Sequence, residues 1–105
     1  MKTLNSIIRE FNELYKTLVD ERGITESAVA IIEMYDSFGV NEELKLIKKI
    51  DYLELLRGYI IKCQDNEKYI NDELESKKDE LTNDIASLYS ELSNLSKDRS
   101  DITIS

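Results

Sequence analysis

Residues 4–23, LNSIIREFNELYKTLVDERG, decide the fold. Leu4, Ile7, Ile8, Phe11, Leu14, Tyr15 and Leu18 recur at the three- and four-residue steps that line one face of a 3.6-residue period, while Arg9, Glu10, Glu13 and Lys16 take the other. Arg22 suits the negative end of a helix dipole, and Gly23 supplies the left-handed residue that ends a helix. The stretch therefore predicts an amphipathic helix over about residues 3–22, with the seven apolar residues as its buried face.

The rest of the chain repeats this grammar. It has no proline and three glycines, and two of these, Gly23 and Gly39, stand where helical periodicity stops. Thr25 is a good N-cap for a second helix over 26–38, with Ile24 and Val29 placed as a hydrophobic staple. That helix should bury Ala28, Ile31, Ile32, Tyr35 and Phe38, and end at Gly39 with Val40 folded back on Tyr35. Asn41 caps a third helix over 42–63, where Glu42 and Glu43 suit the positive end of the dipole. On it Leu46, Ile50, Leu53 and Ile60 face one way and Tyr52, Leu55 and Tyr59 the other. A helix apolar on two sides is sandwiched, so this one should be the centre of the fold, with another helix close by at Gly58.

Residues 64–68 are wholly polar and read equally as a turn or as exposed helix. Beyond them Leu81, Ile85, Leu88, Leu92 and Leu95 step by 4, 3, 4 and 3, the narrow seam of a short coiled coil. The expected architecture is all-α: a helical core over residues 1–63, an acidic amphipathic coiled-coil helix or helical hairpin over 64–98, and a frayed tail over 99–105. The five seam residues are the candidate partner-binding set. Pairing between chains would make a homodimer, and an intramolecular hairpin on the third helix is the rival.

Charge narrows the partners. The total is −8, and residues 64–105 carry −6 of it, from five basic and eleven acidic residues. Such a surface repels phosphates and anionic lipid, which argues against direct nucleic-acid or membrane binding and for a basic protein partner. No long apolar run opens the chain, so a cytoplasmic location is expected.

Elimination covers most chemistry. With no histidine and one cysteine, Ser–His, Cys–His and zinc-hydrolase mechanisms are excluded, and Cys63 in its apolar setting reads as a core residue. Three isolated glycines make no phosphate-binding loop. Tyr69 and Ile70 stand where a calcium loop over 65–76 would need a ligand and its turn glycine. A helix-turn-helix reading fails because its recognition helix would open Asn41-Glu42-Glu43, with carboxylates toward phosphate; Lys45, Lys48 and Lys49 are the one local basic patch. The six tyrosines read mainly as residues of helix core faces.

One carboxylate constellation carries a competing reading. Glu10-Phe11-Asn12-Glu13 and Glu33-Met34-Tyr35-Asp36 form an ExxE and an ExxD on successive helices. They resemble the acidic pairs of the all-α nucleotide pyrophosphohydrolases of the MazG type, with Arg9 where that family has a further acid. The resemblance implies a magnesium-dependent hydrolase in which Glu10, Glu13, Glu33 and Asp36 face a metal-bound phosphate. With 22 acidic residues, composition alone supplies such pairs, and solvated carboxylates are the simpler account.

The preferred reading is a non-catalytic protein–protein interaction module without cofactor or metal, a small acidic regulator or adaptor. Its sharper form is an inhibitor of the sort encoded by phages and mobile elements, one that occupies a basic nucleic-acid-binding surface of a host enzyme.

Overall fold

The structure is a computed structural model and describes residues 3–37, 41–67 and 72–104. Four helices and no strand occur among them: α1 (Leu4–Leu18), α2 (Glu26–Tyr35), α3 (Asn41–Glu67) and α4 (Asp72–Ile104). The all-α expectation holds.

Each boundary has a local cause. Thr3 caps α1, its hydroxyl accepting the Ser6 N–H at 3.2 Å while Ser6 Oγ donates to the Thr3 carbonyl at 3.0 Å. The helix stops at Leu18 rather than Arg22, because Asp20 offers its backbone neighbours a better arrangement than another turn. Its carboxylate accepts the Arg22 N–H at 2.8 Å and the Arg22 guanidinium at 2.7 and 3.0 Å, and its carbonyl accepts the Gly23 N–H at 2.9 Å. These bonds hold the Asp20 carboxyl below its ordinary range, chiefly through the Arg22 side chain. Gly23 does take a left-handed φ of 78°, but as part of this turn and not as the helix cap.

Thr25 caps α2 as expected, accepting the Ala28 N–H at 3.1 Å, and both Ile24 and Val29 of the staple join the adjoining core. The far end comes earlier than Gly39. Asp36 is left-handed at φ 49°, its N–H donates to the Glu33 carbonyl, and the Ser37 N–H reaches back to the Ile32 carbonyl at 3.1 Å, a Schellman ending built on aspartate. Phe38, Gly39 and Val40, and the ending expected there, lie outside the described residues. So does Lys68, although α3 continues helically through residues 64–67. α4 is assigned as helix as far as Ile104, with no glycine or proline along it.

α3 is the central helix, packed against each of the other three. Two clusters form along it. In the first, Ile7 and Phe11 of α1 meet Leu56, Ile60 and Cys63 of α3 and Leu74 and Leu81 of α4, so Cys63 is a core residue as read. In the second, Ile24 and the α2 residues Ala28, Ile31 and Ile32 meet Ile47 and Ile50 of α3 and Leu92 of α4. α1 thus covers the C-terminal half of α3, α2 covers the N-terminal half, and α4 runs along both.

Two expectations about the core need correction. Leu14 and Leu18 are 44% and 46% exposed, because α1 packs through Ile7 and Phe11 and no described residue buries the end of its apolar stripe. Gly58 is exposed, and among the described residues outside its own helical turn no atom lies within 4 Å of where a β-carbon would stand, so no described helix crosses there. On α3 the deepest residues include Ile47 and Leu56 besides Ile50 and Ile60, while Leu46 and Leu53 are half-buried.

Candidate protein-docking surfaces

The coiled-coil seam comes first, because it carried the expected partner site. Antiparallel pairing of α3 and α4 turns that seam inward: Leu81, Ile85 and Leu92 are 1%, 5% and 0% exposed within a single chain. Leu88 and Leu95 are half-buried. Polar links fix the pairing, with Gln64 Nε2 donating to Glu75 at 3.0 Å and Arg57 Nη1 to Thr82 Oγ1 at 3.1 Å. The contacts seen at the seam are therefore those of the hairpin rival.

With its apolar side committed, α4 shows solvent its acids. Asp72, Glu73, Asp79, Glu80, Asp84 and Glu91 are all exposed, and they form three pairs seven residues apart, 72 with 79, 73 with 80 and 84 with 91. A seven-residue step is two turns, or about 10.5 Å at 1.5 Å per residue. Lys77 and Lys78 fold back on Glu80 and Glu75 at 3.4 and 2.7 Å, which offsets part of the charge. Glu75 is held below its ordinary pKa by Lys78 first and Gln64 second.

The four carboxylates of the hydrolase reading are spread over α1 and α2. Glu10 accepts the Tyr59 hydroxyl at 3.2 Å, Glu13 pairs with Lys16 at 3.4 Å on the exposed side of α1, Glu33 is exposed, and Asp36 serves as the α2 cap. Among the described residues no group of three or more His, Cys, Asp or Glu is placed to hold a metal ion.

Composition gave no sign of a buried polar centre. Asp51 is 1% exposed and accepts Thr25 Oγ1 at 2.6 Å and the Tyr15 hydroxyl at 3.2 Å, both on Oδ2, while its Oδ1 is buried without a hydrogen-bond partner. Burial first, and then the Asp51 charge, push Tyr15 up to about 12. Tyr89 is likewise pushed up to about 12, by burial and by its bond to Glu54. Tyr15 also belongs to a ring cluster on Phe11, with centroids at 5.7 Å to Tyr15, 5.3 Å to Tyr52 and 5.7 Å to Tyr59. The expected helix-face role of these tyrosines is what the cluster displays.

Two of the open grooves beside α3 bear on docking. One, of about 450 Å³, runs between its N-terminal half and α4, lined by Leu46 and Leu95 with Lys45 and Lys49 opposed by Glu42 and Glu91. Carboxylates thus stand beside two lysines of the local basic patch. The other, of about 250 Å³, lies between α1 and the C-terminal half of α3, with Leu14, Leu18, Leu55 and Tyr59 around Gly58. No described helix is long and apolar enough to cross a membrane.

No protein-family model matches the chain, and comparisons with curated proteins and with solved structures found no match.

Proposed function

We propose that this is a non-catalytic interaction protein that meets a basic protein surface through the outer face of α4. One observation carries the reading: Leu74, Leu81, Ile85 and Leu92 of the 33-residue helix are buried inside the chain, and its solvent side presents Asp72, Glu73, Asp79, Glu80, Asp84 and Glu91 along one helix. Regularly spaced carboxylates on a fixed helix are complementary to a track of lysines and arginines. The helix needs no folding on binding, so little ordering entropy opposes association.

In its sharper form the partner is a nucleic-acid enzyme and the acidic rod occupies its basic channel. The molecule measures 56 × 29 × 17 Å, and its acidic face follows the long dimension of α4. The test is capture of partners by the wild-type chain and by a variant with Asp72, Asp79, Asp84 and Glu91 changed to Asn or Gln. The expected partner is lost in the variant, released as salt rises, and displaced by added DNA or RNA. A partner retained by the variant in high salt overturns the reading, and one that binds nucleic acid and this protein together overturns its channel-blocking form.

A further inference from the structure

Beside the contact of α1 with the C-terminal half of α3, the groove of about 250 Å³ between the two helices stays open. Two of the four large apolar residues that are exposed among those described, Leu14 and Leu18, line this opening. At its floor Glu54, Gly58 and Lys62 recur at four-residue steps, which places them on one line along the helix. Gly58 has open space above it and costs helical stability relative to alanine, with no close contact among the described residues to offset that cost.

We propose that a second copy of this chain docks here, α3 against α3, antiparallel about a two-fold axis at Gly58. Charge singles out this occupant. Glu54 and Lys62 stand four residues to either side of Gly58, about 6 Å along the axis in each direction. A two-fold rotation exchanges the two ends, so Glu54 of each copy meets Lys62 of the other, and one patch is complementary to itself. A uniformly basic or acidic partner would leave one of the two opposed to a like charge. The glycine at the crossing allows the backbones to approach, and Leu14, Leu18 and Leu55 supply the apolar flanks. No α4 residue lines the groove itself, so the pairing leaves the acidic face of α4 open to a different partner.

Light scattering and sedimentation of the full chain test the inference, with circular dichroism as the check on folding. The wild type is expected to dimerise by high micromolar concentration. Gly58→Arg, which meets open space and improves helix propensity, should keep the helicity and weaken the dimer on the order of tenfold or more. Lys62→Glu alone and Glu54→Lys alone should each weaken the dimer similarly, while an equimolar mixture of the two should form a heterodimer, since both cross-pairs are then opposite in sign. Leu14→Glu, at a site already 44% exposed, gives a second folded disrupting variant. A wild type that stays monomeric at high micromolar concentration overturns the proposal. A dimer that tolerates both Gly58→Arg and Leu14→Glu places the interface elsewhere and overturns it too, and failure of the mixture to pair overturns the antiparallel register.

Discussion

Thr25 Oγ1 donates to Asp51 Oδ2 at 2.6 Å while it accepts the Ala28 N–H at 3.1 Å, so one hydroxyl both caps α2 and fastens it to the middle of α3. Tyr15 donates to the same carboxylate oxygen from α1, and three helices are thereby held at one buried carboxylate. Thr25→Ala removes the cap, worth about 1 kcal/mol, and a bond to a charged group, worth about 1.5–3 kcal/mol. Urea denaturation should show a loss of about 2.5–4 kcal/mol, against less than about 1 kcal/mol for Thr25→Ser, which keeps the hydroxyl. Equal losses for the two would mean that the methyl group, and not the hydroxyl, matters.

Stability should fall in strong alkali for an identifiable reason. Tyr15 and Tyr89 ordinarily ionise at 10.0 and are raised to about 12 in the folded chain. Between those values the folded state holds protons that the unfolded chain has released, so the contribution is complete below pH 10 and is lost as pH rises toward 12. The denaturation midpoint, followed across that range, should drop less steeply in Tyr15→Phe than in wild type. An unchanged slope would show that burial of this phenol is not felt by folding.

The legible parts of the fold were those with local causes. Thr25 capped the helix that follows it, Gly23 took a left-handed turn, and the seam of α4 found an apolar neighbour. Periodicity says that a face is apolar but not that anything covers it, which is why Leu14 and Leu18 were placed in the core and are exposed. Helix ends misled where aspartate did the work of glycine: the Asp20 side chain closed a turn ahead of Gly23, and Asp36 took the left-handed cap ahead of Gly39. Asp51 could not be told from the solvated acids around it, since its burial depends on α1 and α2 arriving from elsewhere in the chain. The seam showed a face in need of a partner, and a pattern of leucines contains nothing to say whether that partner is the same chain or another.

Gly58→Ala tests the open side of α3 from the stability side. The position is helical and exposed, and the added methyl meets nothing within 4 Å. In dilute solution the substitution should stabilise the chain by about 0.5–1 kcal/mol, the ordinary difference between glycine and alanine inside a helix. A destabilised protein would mean that some part of the chain does approach Gly58.

Magnesium provides the sharpest contrast with the hydrolase reading. The carboxylates of Glu10, Glu13, Glu33 and Asp36 are engaged separately or turned to solvent, so no strong cation site should arise from them. Adding magnesium at millimolar concentration should leave the melting temperature unchanged, since only a ligand that binds the folded state raises it. A magnesium-dependent rise that disappears in Glu13→Gln, together with cleavage of a nucleoside triphosphate, would restore the hydrolase.

The seam distinguishes a core from a dimer interface by which helices fail when it is broken. Leu92 is fully buried against Ile47 and Ile50 of α3 and the α2 residues Ala28, Ile31 and Ile32, whereas Leu88 is half-buried at the edge of the same cluster. Leu92→Ala should therefore cost about 2–5 kcal/mol, as a large-to-small change in a packed interior, and the loss should reach α2 as well as α4. Leu88→Ala, already part-exposed, should cost about half of that or less. Leu92→Asp should unfold the protein outright, because it places an unpaired carboxylate where no solvent reaches. Hydrogen exchange measured in Leu92→Ala gives the readout, with amides of α2 and the N-terminal half of α3 losing protection together with those of α4. If α4 alone loosened while α2 and α3 kept their protection, the seam would be serving a partner outside the chain.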